Sequence, residues 1–156
     1  IRGKTAMLFE ASTHSAALLA GASAAQVDAL RTFGDALGVA FQLVDDLLDY
    51  RGDAATLGKN VGDDLAEGKP TLPLIHTMRA GSPEQAALVR KAIQQGGIED
   101  LESIRAAVEA AGALDYTAQK ARDYAARAIA SLDVLPASEY RDALVELTEF
   151  AVARTH

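Results

Sequence analysis

The sequence FQLVDDLLD occupies residues 41–49 and repeats its apolar positions with the period of an α-helix. At about 100° per residue, Asp45 and Asp49 lie about 40° apart on one side of Gln42. Asp46 lies about 40° to the other side, and apolar side chains fill the remaining circumference. Carboxylates at i and i+4 with no basic partner repel each other, and a bound cation would remove that repulsion. The segment therefore predicts a helix with an acidic strip suited to a cation, and the alternative is an amphipathic helix with a solvated acidic face.

Two glycines precede the acids, and a loop rich in glycine and lysine follows them. Gly34 and Gly38 fall on the same helical strip as two of the acids. An interior glycine costs a helix about 1 kcal/mol relative to alanine, so two in line indicate that something bulky approaches the backbone there. The loop contains GKNVGDD at 58–64 and EGKP at 67–70. Acids that hold a divalent cation and lysines that hold phosphate oxygens are the groups that bind a magnesium-bridged diphosphate.

Composition limits the class of protein. The chain has 156 residues, of which 49% are hydrophobic, enough for one domain with a sizeable core. No apolar run approaches the roughly 20 residues that cross a bilayer. Cysteine is absent and the formal net charge is −7, which fits a cytoplasmic location and argues against nucleic acid as a partner. The chain begins at Ile1 without an initiator Met, and we expect it to be a piece of a larger domain.

The remaining segments read as helices separated by glycine or proline, with no period-2 alternation. Helices are predicted at residues 4–20, 23–50, 63–66, 71–80, 83–95, 98–111, 114–134 and 139–154. Ser82, followed by Pro83 and by Gln85 three residues on, is a strong helix start signal. The predicted fold class is all-α, an antiparallel helix bundle. The apolar arc of helix 23–50 is expected to be wider than the other helices can cover, which would favour association.

Three sequence motifs, each weak by itself, occur in an order that is specific for one protein family. They are Lys4-Thr5, FQxxDDxxD at 41–49, and GK to GKPTLP at 58–73. With them the chain resembles the C-terminal half of a trans-polyprenyl diphosphate synthase, and it is most similar to the bacterial octaprenyl diphosphate synthases. The resemblance covers essentially all of residues 1–156 and implies the C-terminal part of a single all-α domain of the isoprenoid synthase type, with the N-terminal part absent.

The resemblance also implies an activity. It is a magnesium-dependent prenyltransferase reaction of isoprenoid biosynthesis that elongates an allylic diphosphate, such as farnesyl diphosphate, with isopentenyl diphosphate. The product would be a long-chain all-trans polyprenyl diphosphate, octaprenyl-like, for the side chains of isoprenoid quinones. The enzyme would be a cytoplasmic homodimer with Mg²⁺ as cofactor and no transmembrane segment. Magnesium and lysines can stabilise the negative charge that develops on the leaving diphosphate, and nearby dipoles can stabilise the carbocation.

Carried over residue by residue, the resemblance assigns metal binding to three acids. Asp45 is similar to the family's direct magnesium ligand, and Asp46 and Asp49 would orient metal-bound water. Three lysines resemble the family's diphosphate contacts: Lys4, Lys59 and Lys69. Two further residues resemble the catalytic groups placed near the developing cation: Thr5 and Gln42.

One departure from the family pattern is large. The family's first aspartate-rich motif has no counterpart in this chain, and Asp63-Asp64 lies downstream in a loop without the third acid. We expect those two acids to cap the turn at 63–66, and we expect the chain alone to be inactive. The alternatives are a non-catalytic prenyl-synthase-like regulatory subunit and a class I terpene cyclase. The FQxxDD pattern with its lysine loop favours elongation over cyclisation.

Overall fold

The computed structural model describes residues 1–51, 62–96 and 100–153, and all regular structure in these ranges is helical. Its α-helices are α1 (Met7–Leu19), α2 (Ala24–Arg51), α3 (Asp63–Ala66), α4 (Leu72–Ala80), α5 (Pro83–Gln95), α6 (Leu101–Ala110), α7 (Ala113–Ser131) and α8 (Glu139–Ala153). A π-helical turn, Arg2–Ala6, precedes α1, and a 3₁₀ turn, Leu132–Val134, follows α7. The all-α prediction is confirmed, and no described helix is long and apolar enough to cross a membrane.

Capping residues set the beginnings of the helices as the sequence predicts. The Ser82 hydroxyl accepts from the amide of Gln85 at 3.3 Å, and the Gln85 side chain accepts from the amide of Ser82 at 2.8 Å. Ser23 and Gln26 repeat this capping box at the start of α2. Each box satisfies amides that have no partner inside the helix, which is why these boundaries are readable from the sequence.

The chain forms two compact units, each with its own core. Among the described residues, the first unit comprises Ile1–Val44 and residues 120–153, and the second comprises those between Asp45 and Gln119. The core of the first unit contains Phe33, Ala36, Leu37, Ala128, Leu132 and Ala151. The core of the second contains Tyr50, Leu65, Leu74, Val89, Ala92, Ile104, Val108 and Ala113, where α4, α5 and α6 pack together.

The glycines of α2 bring α1 against it. A Cβ atom at Gly38 would lie 2.6 Å from the Cα atom of Ala6, and one at Gly34 would lie 2.7 Å from the Cα atom of Glu10. Real Cβ atoms do not approach backbone so closely, so only glycine permits this packing. The bulky group that the glycines predict is therefore the backbone of α1 and of the turn that precedes it.

The expectation that α2 leaves part of its apolar arc uncovered is wrong. Its apolar residues from Phe33 to Tyr50 are mostly buried. Large exposed apolar side chains lie instead on α1 (Met7, Leu8, Leu18 and Leu19) and on α8 (Tyr140, Leu147 and Phe150). The arc is covered because α2 passes through both units and contributes to both cores. The sequence pattern shows the width of the arc, but not how many neighbours meet it.

Candidate active site

A hydrogen bond joins the two residues predicted to lie near the developing cation. The Thr5 hydroxyl donates to the side-chain oxygen of Gln42 at 2.7 Å, and Gln42 is only 8% exposed. The close approach of Ala6 to Gly38, one residue beyond Thr5 and one turn before Gln42, makes this contact possible. The first unit therefore holds a buried amide in one orientation, with its oxygen accepting from the threonine.

Lys4 lies beside Thr5 in the π-helical turn Arg2–Ala6. Its side chain is exposed, and it forms no ion pair with a described residue. Single π-helical turns are rare and are frequent at functional sites, because they change the direction of side chains relative to the following helix. The structure thus places Lys4 and Thr5 on one irregular turn, and leaves the lysine ammonium available to an anion.

The three acids of α2 belong to the second unit and differ in burial. Asp46 is 2% exposed, whereas Asp45 and Asp49 are half-buried. No three carboxylate or imidazole groups of the described residues converge closely enough to hold a metal ion by themselves. Oxygen donors of this kind suit Mg²⁺, which normally keeps several waters and is completed by substrate phosphates rather than by a protein cage. The donor set fits magnesium in that open mode.

Lys69 is held by two acids that follow α2 in the chain. Its ammonium lies 2.9 Å from Asp64 and 2.7 Å from Glu67, and its amide donates to the carbonyl of Asp64 at 2.9 Å. Gly68 makes this reversal possible with φ at 68°. The hydrogen bonds to Glu67 and Asp64 raise the pKa of Lys69 above its ordinary value, so it is charged at neutral pH.

The expectation that Asp64 caps the turn at 63–66 is wrong. Asp64 lies inside α3, and its carboxylate binds Lys69 instead of the helix N-terminus. The amide of Gly62 donates to the carbonyl of Asp49 at 3.2 Å, which brings the start of α3 back to the end of α2. The reversal after α3, which a linear reading does not show, brings Asp64 and Lys69 together. Lys59 lies outside the described residues.

Two hydroxyl groups lie near these acids that the sequence pattern does not predict to be there. Tyr50 directly follows the acidic motif and Thr71 follows GKP, and both are buried. A tyrosine at the end of an amphipathic helix is most simply part of the core, and Tyr50 is indeed a core residue of the second unit. Only the folded chain shows that its hydroxyl lies among acids.

Comparison with known proteins agrees with the motifs and the fold. The family model described as Polyprenyl synthetase matches residues 1–111. The chain is 52% identical over 155 residues to the octaprenyl diphosphate synthase of Escherichia coli (strain K12), covering 99% of the chain and 48% of that relative. It is 51% identical over 154 residues to an all-trans-nonaprenyl-diphosphate synthase (geranyl-diphosphate specific) of Rhodobacter capsulatus, covering 99% of the chain and 47% of that relative.

A solved structure shares the fold. A polyprenyl synthase from Caulobacter crescentus CB15, complexed with calcium and isoprenyl diphosphate, superposes with a TM-score of 0.89 at 45% identity. The match covers 100% of this chain and 48% of that one, so the chain spans about half the length of the relatives it matches. The chain belongs to the polyprenyl synthetase family, and its all-α fold is of the isoprenoid synthase type. The resemblance drawn from the motifs is confirmed.

Proposed function

We propose that this chain is the C-terminal part of a single-domain, magnesium-dependent prenyltransferase. The complete enzyme extends an allylic diphosphate, such as farnesyl diphosphate, with isopentenyl diphosphate to an all-trans polyprenyl diphosphate for isoprenoid quinones. One observation carries the proposal. A single continuous helix, α2, bears the buried Gln42 that Thr5 holds and, within the next two turns, the acids of FQxxDDxxD. The family relationship over the whole chain supports it.

The residues divide the work by charge. Bound magnesium supplies stabilisation of the negative charge that develops on the departing diphosphate. Asp45 would bind the metal directly, and Asp46 and Asp49 would orient its waters. Lysine ammonium groups form charge-assisted hydrogen bonds with phosphate oxygens, which is the proposed role of Lys4, Lys59 and Lys69. The acids would thus hold the magnesium, and the lysines would hold the oxygens of the diphosphate.

Thr5 and Gln42 would face the allylic carbon chain. Because the Thr5 hydroxyl donates to the Gln42 oxygen, the amide dipole has a fixed direction before any substrate binds. A dipole that is already oriented stabilises a developing cation without reorganisation during the reaction. Neither group is a strong nucleophile, so neither would trap the carbocation.

Product length is proposed as octaprenyl-like. The octaprenyl and nonaprenyl relatives are 52% and 51% identical to this chain, so identity alone does not separate them. We propose a cytoplasmic homodimer for the complete enzyme, in line with the resemblance and with the absence of cysteine.

The test is an elongation assay on the full-length enzyme. It uses farnesyl diphosphate, labelled isopentenyl diphosphate and either MgCl₂ or EDTA, with product length read by chromatography. We expect magnesium-dependent formation of a long-chain product. No turnover, together with a change in the product length of an added catalytic synthase, would instead assign the protein to the non-catalytic subunits. A cyclic hydrocarbon as the main product would assign it to the terpene cyclases.

A further inference from the structure

Two buried hydroxyl groups of the second unit have no hydrogen-bond partner in the part of the chain that the structure describes. Tyr50 is 2% exposed and Thr71 is 9% exposed. Neither the Tyr50 phenol oxygen nor the Thr71 hydroxyl oxygen has a hydrogen-bond partner among the described residues. Burying a hydroxyl without a partner destabilises a protein, and nearly all such groups in native structures bind either protein or ordered water. A pair of them in one place indicates a polar ligand shared by both.

The surroundings of the pair are strongly polar. The amide of Gly62 donates to the carbonyl of Asp49, which brings the start of α3, with Asp64, back to the end of α2, where Asp46 and Asp49 precede Tyr50. The amide of Thr71 donates at 3.0 Å to the carbonyl of Lys69, whose ammonium lies 2.9 Å from Asp64. In agreement with this geometry, the three carboxylates act on the Tyr50 phenol and, after burial itself, raise its pKa. The Thr71 hydroxyl acts on the same phenol in the opposite direction, although the two oxygens do not meet the geometry of a hydrogen bond. Both hydroxyls therefore lie at the edge of one acidic cluster, close to each other but not joined.

Thr71 also has an unusual position for a threonine hydroxyl. It is the N-cap residue of α4, with φ at −74° and ψ at 166°, yet its side chain makes no capping hydrogen bond. An N-cap hydroxyl normally accepts from the second or third amide of the helix, and Pro73 removes one of these donors. Ser82, by contrast, forms a complete capping box at the start of α5. The Thr71 hydroxyl is thus left for another partner.

We propose that Tyr50 and Thr71 jointly bind one ordered water molecule that links them to the acidic cluster. Each hydroxyl donates to the water oxygen, and the water donates its two hydrogens to carboxylate oxygens of the cluster. A buried water needs two to four polar partners, and this arrangement supplies them. The water restrains Asp64, which binds Lys69 at 2.9 Å.

This makes Tyr50 and Thr71 positioning residues for the proposed diphosphate site, and in that respect the inference rests on the proposed function. Neither hydroxyl is assigned a contact with substrate. They act through Asp64, which together with Glu67 determines where the ammonium of Lys69 lies. Loss of either hydroxyl should therefore change ligand affinity without changing the helices.

The first test is a thermal unfolding cycle on the full-length enzyme in EDTA, so that metal plays no part. Tyr50→Phe and Thr71→Val are each expected to lower the Tm. The double variant should lower it by clearly less than the sum, because the same water is lost only once. Single variants that leave the Tm unchanged or raise it, or losses that add, would overturn the inference.

A control cycle uses a hydroxyl that already has a partner. Thr77 lies in α4, the helix for which Thr71 is the N-cap residue. It is buried, and its hydroxyl donates to the carbonyl of Pro73 at 2.8 Å. Thr77→Val should lower the Tm and should add to Tyr50→Phe, since the two hydroxyls share no water. An experimental structure with no water bonded to both Tyr50 and Thr71 also overturns the inference.

The second test separates positioning from packing in the full-length enzyme. Calorimetry with MgCl₂ and inorganic diphosphate should show about tenfold weaker binding for Tyr50→Phe and Thr71→Val, as is typical when groups supporting a binding residue are removed. Thr71→Ser keeps the hydroxyl and should restore affinity. Failure of the wild-type enzyme to bind diphosphate would reject the proposed function, while the unfolding cycle would still decide on the water. Unchanged affinity in both variants rejects the positioning role.

Discussion

At the scale of the residue, Asp45 is the most direct test of the metal assignment. Losing a magnesium ligand removes several kcal/mol of charge stabilisation from the leaving diphosphate. Each ~1.36 kcal/mol is a tenfold change in rate, so Asp45→Ala should lower turnover of the full-length enzyme about 100-fold or more. Asp28→Ala is the matched control, because Asp28 is an exposed acid of the same helix. Turnover of Asp45→Ala close to wild type would remove Asp45 from the site.

Lys69 allows a similar comparison with another ion-paired lysine. If it contacts a desolvated phosphate, Lys69→Ala should weaken binding of magnesium diphosphate by about 1.5–3 kcal/mol. Lys91 also faces an acid, Asp100 at 3.8 Å, but it is surface-exposed. Lys91→Ala should therefore leave the affinity unchanged in calorimetry. Equal affinities for the two variants would give Lys69 a structural role only.

Tyr50 leads to a prediction about alkaline pH. Its folded pKa is raised by burial above the ordinary phenol value of about 10. The folded state therefore holds its proton where the unfolded state has released it, and stability falls as pH rises above that ordinary value. Urea unfolding of the chain in EDTA between neutral and strongly alkaline pH should show this loss. Tyr50→Phe should lessen the slope, and an identical slope in both proteins would contradict the buried, protonated phenol.

At the scale of the element, the packing of α1 on α2 positions the Thr5–Gln42 pair. Gly38→Ala would place a Cβ atom 2.6 Å from the backbone of Ala6, so the helices must separate. Such overpacking typically costs about 1–3 kcal/mol, and it should lower the urea midpoint and the turnover of the full-length enzyme together.

The matched control for that substitution is Gly3→Ala. A Cβ atom at Gly3 meets nothing within 4 Å, so the same change of residue tests the effect of alanine without a clash. It should leave the urea midpoint nearly unchanged. If Gly38→Ala were as stable as Gly3→Ala, then helix contact would not explain why glycine occupies that position.

At the scale of the whole molecule, we predict that the 156-residue chain alone has no prenyl-transfer activity. Its described acids do not converge on a metal, and magnesium needs further ligands to be held in place. The exposed apolar side chains of α1 should drive self-association. Light scattering should therefore report species larger than 16.3 kDa.

Substitution on that face checks the cause of association. Leu8 and Leu19 are 70% and 90% exposed, so changing both to serine should shift the distribution toward monomer without loss of helical content. Ala16→Ser on the same helix is the control and should not shift it. A wild-type monomer that is active on farnesyl and isopentenyl diphosphates would overturn this view of the chain.

Local signals in the sequence determined most of the helices of this protein. Ser23, Ser82 and the glycines at helix ends act through contacts within a few residues, so their effect can be read without a fold. The acids of residues 41–49 and their spacing likewise follow from helical periodicity. For the same reason the family and the all-α class could be predicted from the chain before its packing was known.

Only the tertiary structure decided which distant groups meet. The sequence indicated that something approaches Gly34 and Gly38, but only the packed helices show that this is the backbone of α1 and of the turn before it. The sequence allowed Asp64 to be a helix cap, but in the folded chain the turn at Gly68 brings Lys69 back to its carboxylate. The burial of Tyr50 beside Thr71 depends on α2, α3 and α4 together. Contacts of this kind depend on how the chain returns upon itself, and periodicity along one helix carries no information about that.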